Sequence, residues 1–352
     1  MDTRLSQDIT ALAVTQGNRR VIYAATLVLV IVGSLLVYKG TAALAVIVKV
    51  QNTGALQPRV NVVPMPGNAA QVNVVARSIN YFLVIWPALL FGILISGAVR
   101  VLVPPRWLGR ALGSGRVRSQ LVASLAGAPL MLCSCCAAPV FSGLYERSSR
   151  LGPSLAVMLA APSLNPAALI LTFMLFDHRI ALTRLAIAGL AVFLTGILID
   201  QLFSLRPIDC PTSDDESGRP VLTTFLRSCL QVAVRTVPLI AVGVLSSMAI
   251  ALWLPVGALA STSGQTVAIV VVALIAVPLA LPTFFEIPLA LILLSAGLPA
   301  GAAVAMMIAG PAVNLPSLFT IARSTNWKVA ASVALTIFVL AVAGGLLVSL
   351  VF

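Results

Sequence analysis

Three cysteines fall within four residues, in the run Leu132-Cys133-Ser134-Cys135-Cys136-Ala137-Ala138-Pro139. Thiolates are soft ligands, so such a cluster suits soft acceptors: Cu(I), Zn(II) and, by the same logic, trivalent arsenic or mercury. Cys133, Cys135 and Cys136 are therefore the candidate metal-ligating residues, with Ser134 among them. The competing reading is packing, because a free cysteine behaves as a small hydrophobe. Packing suffices for Cys229, and nothing around Cys210 assigns it a role. Five cysteines, odd in number and clustered, do not make a disulfide framework.

The second candidate is Glu286, in Pro282-Thr283-Phe284-Phe285-Glu286-Ile287-Pro288. A carboxyl in so apolar a stretch is costly and by default functional. It could carry a proton or balance a cation; the structural alternative is an ion pair, with Arg235 as the expected partner. The third candidate is the pair Asn165 (APSLNPA) and Asn314 (GPAVNLP). Their amides could satisfy carbonyls freed by the adjacent prolines, line a polar path, or bridge helices. Asp200 and Glu146 read as span-end residues facing headgroups, and Asp177-His178-Arg179 as a solvated turn.

The elements that must position these residues follow from composition. The chain has 352 residues, 60% hydrophobic and 9% charged, against about 25% charged in soluble domains. Mean hydropathy is +1.07. A soluble enzyme, a disordered chain and a disulfide-stapled domain are excluded, and long apolar runs exclude a β-barrel. The fold class is all-α and polytopic. Membrane spans are expected near 21–48, 79–103, 152–176, 181–204, 225–254, 299–322 and 328–352. The apolar stretches 119–145 and 266–294 are interrupted, the first by Pro129, the cysteines and Pro139, the second by Pro278, Pro282 and Pro288. Broken backbone at membrane depth survives only inside protein or beside a water-filled cavity.

The chain also repeats itself. PALLFGILISGAVRVLVP (87–104) aligns on PLIAVGVLSSMAIALWLP (238–255), and GPSLAVMLAAPSLNPAAL (152–169) on GAAVAMMIAGPAVNLPSL (301–318). Two blocks in one order at nearly one offset mark structural repeats. The expected organisation is a cytoplasmic segment (1–20), an extra transmembrane helix (21–48), an external loop (49–78), repeat 1 (79–204), an acidic linker (205–224) and repeat 2 (225–352). The polar flank before residue 21 is too long for a secretory signal, so the first helix is expected to be retained. If both interrupted stretches dip in and return on one side, Lys and Arg gather inside better than if both cross fully. Each repeat then has three full spans and the repeats are inverted, an architecture of transporters. Both stretches are also long enough to cross once. The repeat offset sets Glu286 opposite Ala137, so a two-fold relation would bring the carboxyl near the thiols.

From Cys133-Ser134-Cys135-Cys136 through Asn165-Pro166 the sequence resembles the predicted-permease family that includes the organoarsenical efflux permeases. The motifs are CSCCAAP (133–139) and APSLN (161–165), with an echo in 282–316. The resemblance covers most of the chain after residue 79. It implies export of small soft-metalloid species, with Cys133 and Cys135 as thiol contacts. Cys136 departs from the serine expected in the arsenical members, and the outer loop is longer.

The expected function is thus a permease of the bacterial cytoplasmic membrane, N-terminus inside. It would export a thiol-reactive metalloid or soft metal through a midplane site, with protons as a candidate coupling ion. Substrate-binding candidates are Cys133, Ser134, Cys135, Cys136, Asn165, Glu286 and Asn314. Partners are the lipid bilayer and the small substrate. No cofactor is expected, no nucleotide-binding motif is found, and the net charge of +12 reads as membrane orientation rather than nucleic-acid binding. The alternatives are a membrane thiol–disulfide oxidoreductase using Cys133-x-x-Cys136, opposed by the lack of a second cysteine pair, or a transporter of reduced sulfur compounds.

Overall fold

The computed structural model describes residues 2–54, 74–103, 115–148, 150–203, 221–252, 264–282, 284–295 and 297–351. Side chains are described from residue 26 onward. Cys210, the acidic linker, most of the expected outer loop, Pro104 and Pro255 lie outside the described residues.

All regular structure among the described residues is helical. In chain order the helices are α1 (Asp2–Thr53), α2 (Val74–Leu102), α3 (Arg116–Gly127), α4 (Ser134–Ser148), α5 (Leu151–Ser163), α6 (Pro166–Leu175), α7 (His178–Leu202), α8 (Val221–Leu252), α9 (Gln265–Ala276), α10 (Glu286–Ser295), α11 (Ala300–Ala312), α12 (Leu315–Ser324) and α13 (Trp327–Val351). Six stretches are long and apolar enough to cross a membrane, among them Thr26–Thr53 of α1 and Leu151–Leu175, which joins α5 to α6. The pair α11 and α12, bent by 43° at its break, adds a seventh by length. The chain is a multi-pass membrane protein, with spans where the apolar runs predict them.

α1 is one continuous helix from Asp2, so residues 2–20 of the expected cytoplasmic segment are helical and run on into the first span. One expectation is corrected. Pro139 and Pro288 do not interrupt their stretches. Pro139 lies inside α4, where the carbonyls left by Cys135 and its neighbours are buried in protein. Pro288 lies in the first turn of α10, where no intrahelical N–H is required. The breaks fall earlier, at Met131–Cys133 and at Val277–Phe285.

Why does each interrupted stretch break where it does? In the first, α3 tightens into a single 3₁₀ turn at Ala128–Leu130, and Met131 turns left-handed at φ 50°. In the second, Pro278 and Pro282 remove donors and Phe284 adopts φ 73°. Met131 and Phe284 are the two non-glycine residues with positive φ among those described. Such backbone persists only where its surroundings hold it.

Contacts fix where these stretches begin and end. The Gln120 side chain of α3 fills the space that Cβ atoms at Gly152 (α5) and Gly196 (α7) would need. At the far end of α4, Glu146 pairs with Arg100 at 2.8 Å and Arg147 donates to the Val103 carbonyl. Arg150 reaches Asp200 at 3.6 Å. The start of α3, the end of α4, the start of α5 and the ends of α2 and α7 therefore share one end of the bundle. In the second half, Ile269 of α9 packs on Gly301 and Gly345, the start of α11 and the last turns of α13. Since α10 ends at Ser295 and α11 starts at Ala300, α9 begins and α10 ends at one end as well. The second end is the opposite one, because Ser142 of α4 meets Ser324 at the far end of α12.

Packing partners recur between halves. The pairs α3·α5, α5·α7, α3·α7, α4·α5 and α4·α12 match α9·α11, α11·α13, α9·α13, α10·α11 and α10·α6. The correspondence lapses beside α2 and α1: α2 packs closely on α4 where, among the described residues, α8 has no comparable contact with α10, and α1 packs on α2 and α6, whereas α12 packs on α8.

Small residues let the central helices approach. Every residue of α5 is buried, as is nearly all of α11. A Cβ on Gly345 would sit 2.6 Å from the Gly301 carbonyl oxygen, a close backbone approach of the kind that replaces hydrophobic drive in lipid. Gly345→Ala is expected to cost roughly 1–3 kcal/mol, read as a lower thermal midpoint of the detergent-solubilised protein; an unchanged midpoint would show that α11 and α13 separate freely.

Candidate functional site

The left-handed turn at Met131 throws Leu132 and Cys133 into non-helical backbone, and α4 begins one residue later. Ala137 N–H donates to the Cys133 carbonyl at 2.9 Å, so Cys133 takes the N-cap position and Cys135 and Cys136 stand in the first turn. This local path, rather than sequence spacing alone, turns the three sulfurs toward one another. Cys133 and Cys136 Sγ atoms are 2.7 Å apart, Cys133 and Cys135 3.2 Å, and Cys135 and Cys136 3.8 Å. All three are free thiols, fully or almost fully buried. They form the metal-competent group among the described residues, with every sulfur within 4.8 Å of the others. The positive end of the α4 dipole favours anionic ligands there.

Helix α2 closes the cluster. The Tyr81 hydroxyl lies 3.4 Å from Cys135 Sγ, and Cys136 Sγ points at the Ile85 carbonyl at 3.8 Å. Gly92 lets α2 lie directly on the Cys136 carbonyl, which a Cβ would strike. On the other side a cavity of about 60 Å³ opens beside Cys133. Met131 and Phe284, the strained residues of the two breaks, both line it, together with Lys39 of α1. Phe284 belongs to the second half, so the two interrupted stretches meet at this cavity.

Glu286, two residues beyond Phe284, has a different partner. Its Oε1 accepts from Arg184 of α7 at 3.1 Å, with both residues buried. Arg184 also donates to Thr172 of α6 and lies 3.8 Å from the Met307 sulfur of α11. The expected partner, Arg235, is instead exposed on α8. Arg184, near the edge of the span expected at 181–204, is fully buried. It stands six residues into α7, and apolar runs locate a span's edge no better than a turn or two.

Asn165 and Asn314 cap α6 and α12. Asn165 Oδ1 accepts from Ala167 N at 3.1 Å; Asn314 Oδ1 accepts from Ser317 N at 3.0 Å in a reciprocal capping box. Each carboxamide thereby spends its oxygen on the helix, while both Nδ2 donors are buried without a partner, as is Ser163 Oγ. Ser134 is buried at the start of α4. The structure thus brings Cys133, Cys135 and Cys136 together. No hydrogen bond or ion pair joins them to Glu286, Asn165 or Asn314 among the described residues. Tyr81, Lys39 and Arg184 were missed. A lysine inside an apolar run and an arginine inside an expected span were the signals for the last two; Tyr81 carried none.

The Arg184–Glu286 pair ties α7 to α10. Removing one partner of a buried pair leaves an uncompensated charge, at a cost of roughly 3–5 kcal/mol. Arg184→Met and Glu286→Met are each expected to lower the thermal midpoint strongly, and the double variant to lose much less than their sum. Additive losses would dissolve the pairing.

Comparisons with known proteins agree with this architecture. The model of a family described as predicted permeases matches residues 69–350. The UPF0718 protein YraQ of Escherichia coli is 30% identical over 271 residues, covering 73% of this chain and 76% of that one. The UPF0718 protein MJ0584 of Methanocaldococcus jannaschii is 27% identical over 150 residues, 41% of each chain. The UPF0718 protein YcgR of Bacillus subtilis is 27% identical over 134 residues, 38% of this chain and 45% of that one. No solved structure matches the chain. With most of its length under the family model and its broken helices meeting at a buried thiol cluster, the chain belongs to the predicted-permease family.

Proposed function

We propose that this permease exports a thiol-reactive metalloid or soft metal species across the bacterial cytoplasmic membrane. The observation that carries the reading is the convergence of three free thiols at a helix break, beside a cavity shared by both halves. Cys133, Cys135 and Cys136 hold the cargo by exchanging its labile ligands for sulfur. Ser134 lies in their backbone. The unpartnered amides of Asn165 and Asn314 offer donors to polar groups the cargo retains. Glu286 couples transport to protons: when protonated it releases Arg184, and the two halves part. On this reading the halves are inverted repeats with re-entrant hairpins, supported by their entry and return at opposite ends of the bundle. The end that carries Arg118, Arg147, Arg150, Arg227 and Arg323 is cytoplasmic, and the N-terminus lies there.

A second reading has one observation in its favour. Cys133 and Cys136 are the closest thiol pair, at 2.7 Å, and a cycling disulfide between them would serve an oxidoreductase passing electrons to quinone.

Inside-out vesicles separate the two. Cys133→Ser and Cys135→Ser should each lower initial uptake of methylarsonous acid or Cd(II) at least about tenfold, the lower bound for disturbed ligand sites. Unchanged uptake in both variants, or thiol oxidation matched by quinone reduction, would overturn the permease mechanism. For topology, Ser148→Cys should react with a membrane-impermeant maleimide in inside-out vesicles and not in intact cells; the reverse pattern removes the hairpin.

A further inference from the structure

One charged side chain facing the interior takes no part in the contacts described so far. Lys39 stands at the centre of the candidate span Thr26–Thr53 and is half-buried. It is the charged residue of the cavity, which it lines with Tyr38, Ile85, Met131, Cys133 and Phe284. At about 10–15 Å³ per water, such a space holds four to six waters or a small ion. A lysine at mid-span is costly unless a partner balances it. Arg100–Glu146, Arg150–Asp200 and Arg184–Glu286 are each balanced one to one. Lys39 has no ion-pair or hydrogen-bond partner among the described residues.

Charge arithmetic at the neighbouring thiols assigns that partner. A divalent soft cation bound by three thiols gives a tris-thiolate of net charge −1 and releases three protons, with no change of oxidation state. A monomethyl arsenous acid that exchanges two hydroxyls for two thiols gives a neutral dithioarsinite and two waters. A monovalent ion on three thiolates gives −2. One adjacent ammonium neutralises the first product, leaves the second with a surplus positive charge and leaves the third short. The geometry permits the first. Metal–sulfur bonds of about 2.3 Å set the sulfurs of a trigonal centre about 4 Å apart. Cys135 and Cys136 already stand at 3.8 Å, and Cys133 needs to withdraw by about an ångström, toward the cavity it lines.

We propose that Lys39, supplied by the extra helix α1, is the counter-charge of the loaded thiol centre, and that the site thereby prefers divalent soft cations such as Cd(II), Hg(II) or Zn(II) over neutral trivalent arsenicals. The inference rests on the three cysteines being the cargo site, and it adds the class of cargo they favour. Lys39 acts as a positioning charge and does not ligate the metal.

Binding to the purified full-length protein in nanodiscs tests this. Cd(II) is titrated through the thiolate-to-metal charge-transfer absorbance, and methylarsonous acid through protection of the thiols from a maleimide. Lys39→Met should weaken Cd(II) roughly ten- to hundredfold, the size of a unit charge several ångströms away at an effective dielectric of about 20, with arsenical affinity within about twofold of wild type. Lys39→Arg should keep Cd(II) affinity. Equal Cd(II) affinity in Lys39→Met overturns the proposal, as does a parallel loss of both ligands, which would mark a packing role. A Cys133→Ser/Cys135→Ser/Cys136→Ser variant that still binds Cd(II) tightly would instead overturn the cargo site itself, whatever Lys39 does.

Discussion

Lipid offers no hydrogen bonds, so every helix broken at membrane depth must close its own backbone. Among the described residues, the breaks at Asn165, at Asn314 and in the two interrupted stretches use three kinds of closure. At Asn165 and Asn314 a carboxamide oxygen caps the helix that follows. At the second interrupted stretch the Ala280 N–H donates to Ser247 Oγ of α8, and the Pro278 carbonyl accepts from Leu315 N–H of α12. At the first, a 3₁₀ turn and a left-handed Met131 deliver the chain directly into α4. That first turn is walled by thiols rather than by carboxamides or hydroxyls. The thiol cluster therefore sits where the backbone constraint is met with the fewest capping side chains.

The same constraint explains why two halves are needed. A single interrupted stretch would expose its loosened backbone to lipid on one side. Here the break of one half borders the break of the other, with Met131 and Phe284 lining one cavity. The Arg184–Glu286 pair fastens the second break to α7 of the first half. A buried pair of this kind contributes little net stability against an apolar replacement, so its value lies in holding register between halves whose packing faces are small and apolar, and therefore weakly specific.

Much of this was legible before coordinates. Hydropathy locates the spans, because membrane thickness fixes their length. The proline-rich interruptions announce broken helices, and the clustering of three cysteines in four residues announces the group of thiols that the structure brings together. What was not legible depends on rotation about helix axes. Arg184 looks like a flanking charge until α7 is seen to turn it toward Glu286. Tyr81 is one apolar-run residue among many until α2 presents it to Cys135. Prolines mark the neighbourhood of a break but not its residue, because the first turn of α10 tolerates Pro288 and the interior of α4 tolerates Pro139.

The asymmetry between halves is then informative in itself. Several packing partners recur between the two halves, yet one break carries Cys133, Cys135 and Cys136 and the other Glu286. The departures in packing fall at α2, which lies on α4 where, among the described residues, α8 has no comparable contact with α10, and at α1, which lies against α2 and α6. Lys39 of α1 lines the cavity where Cys133 and Phe284 meet, while Glu286 takes its cation from Arg184 of α7. The thiol-bearing break and the acidic one thus sit beside cations from different elements. On the reading proposed above, a thiol centre that gains negative charge on loading needs its counter-charge in place beforehand, since none can be recruited from lipid. An added helix is a direct way to supply one without disturbing the duplicated frame.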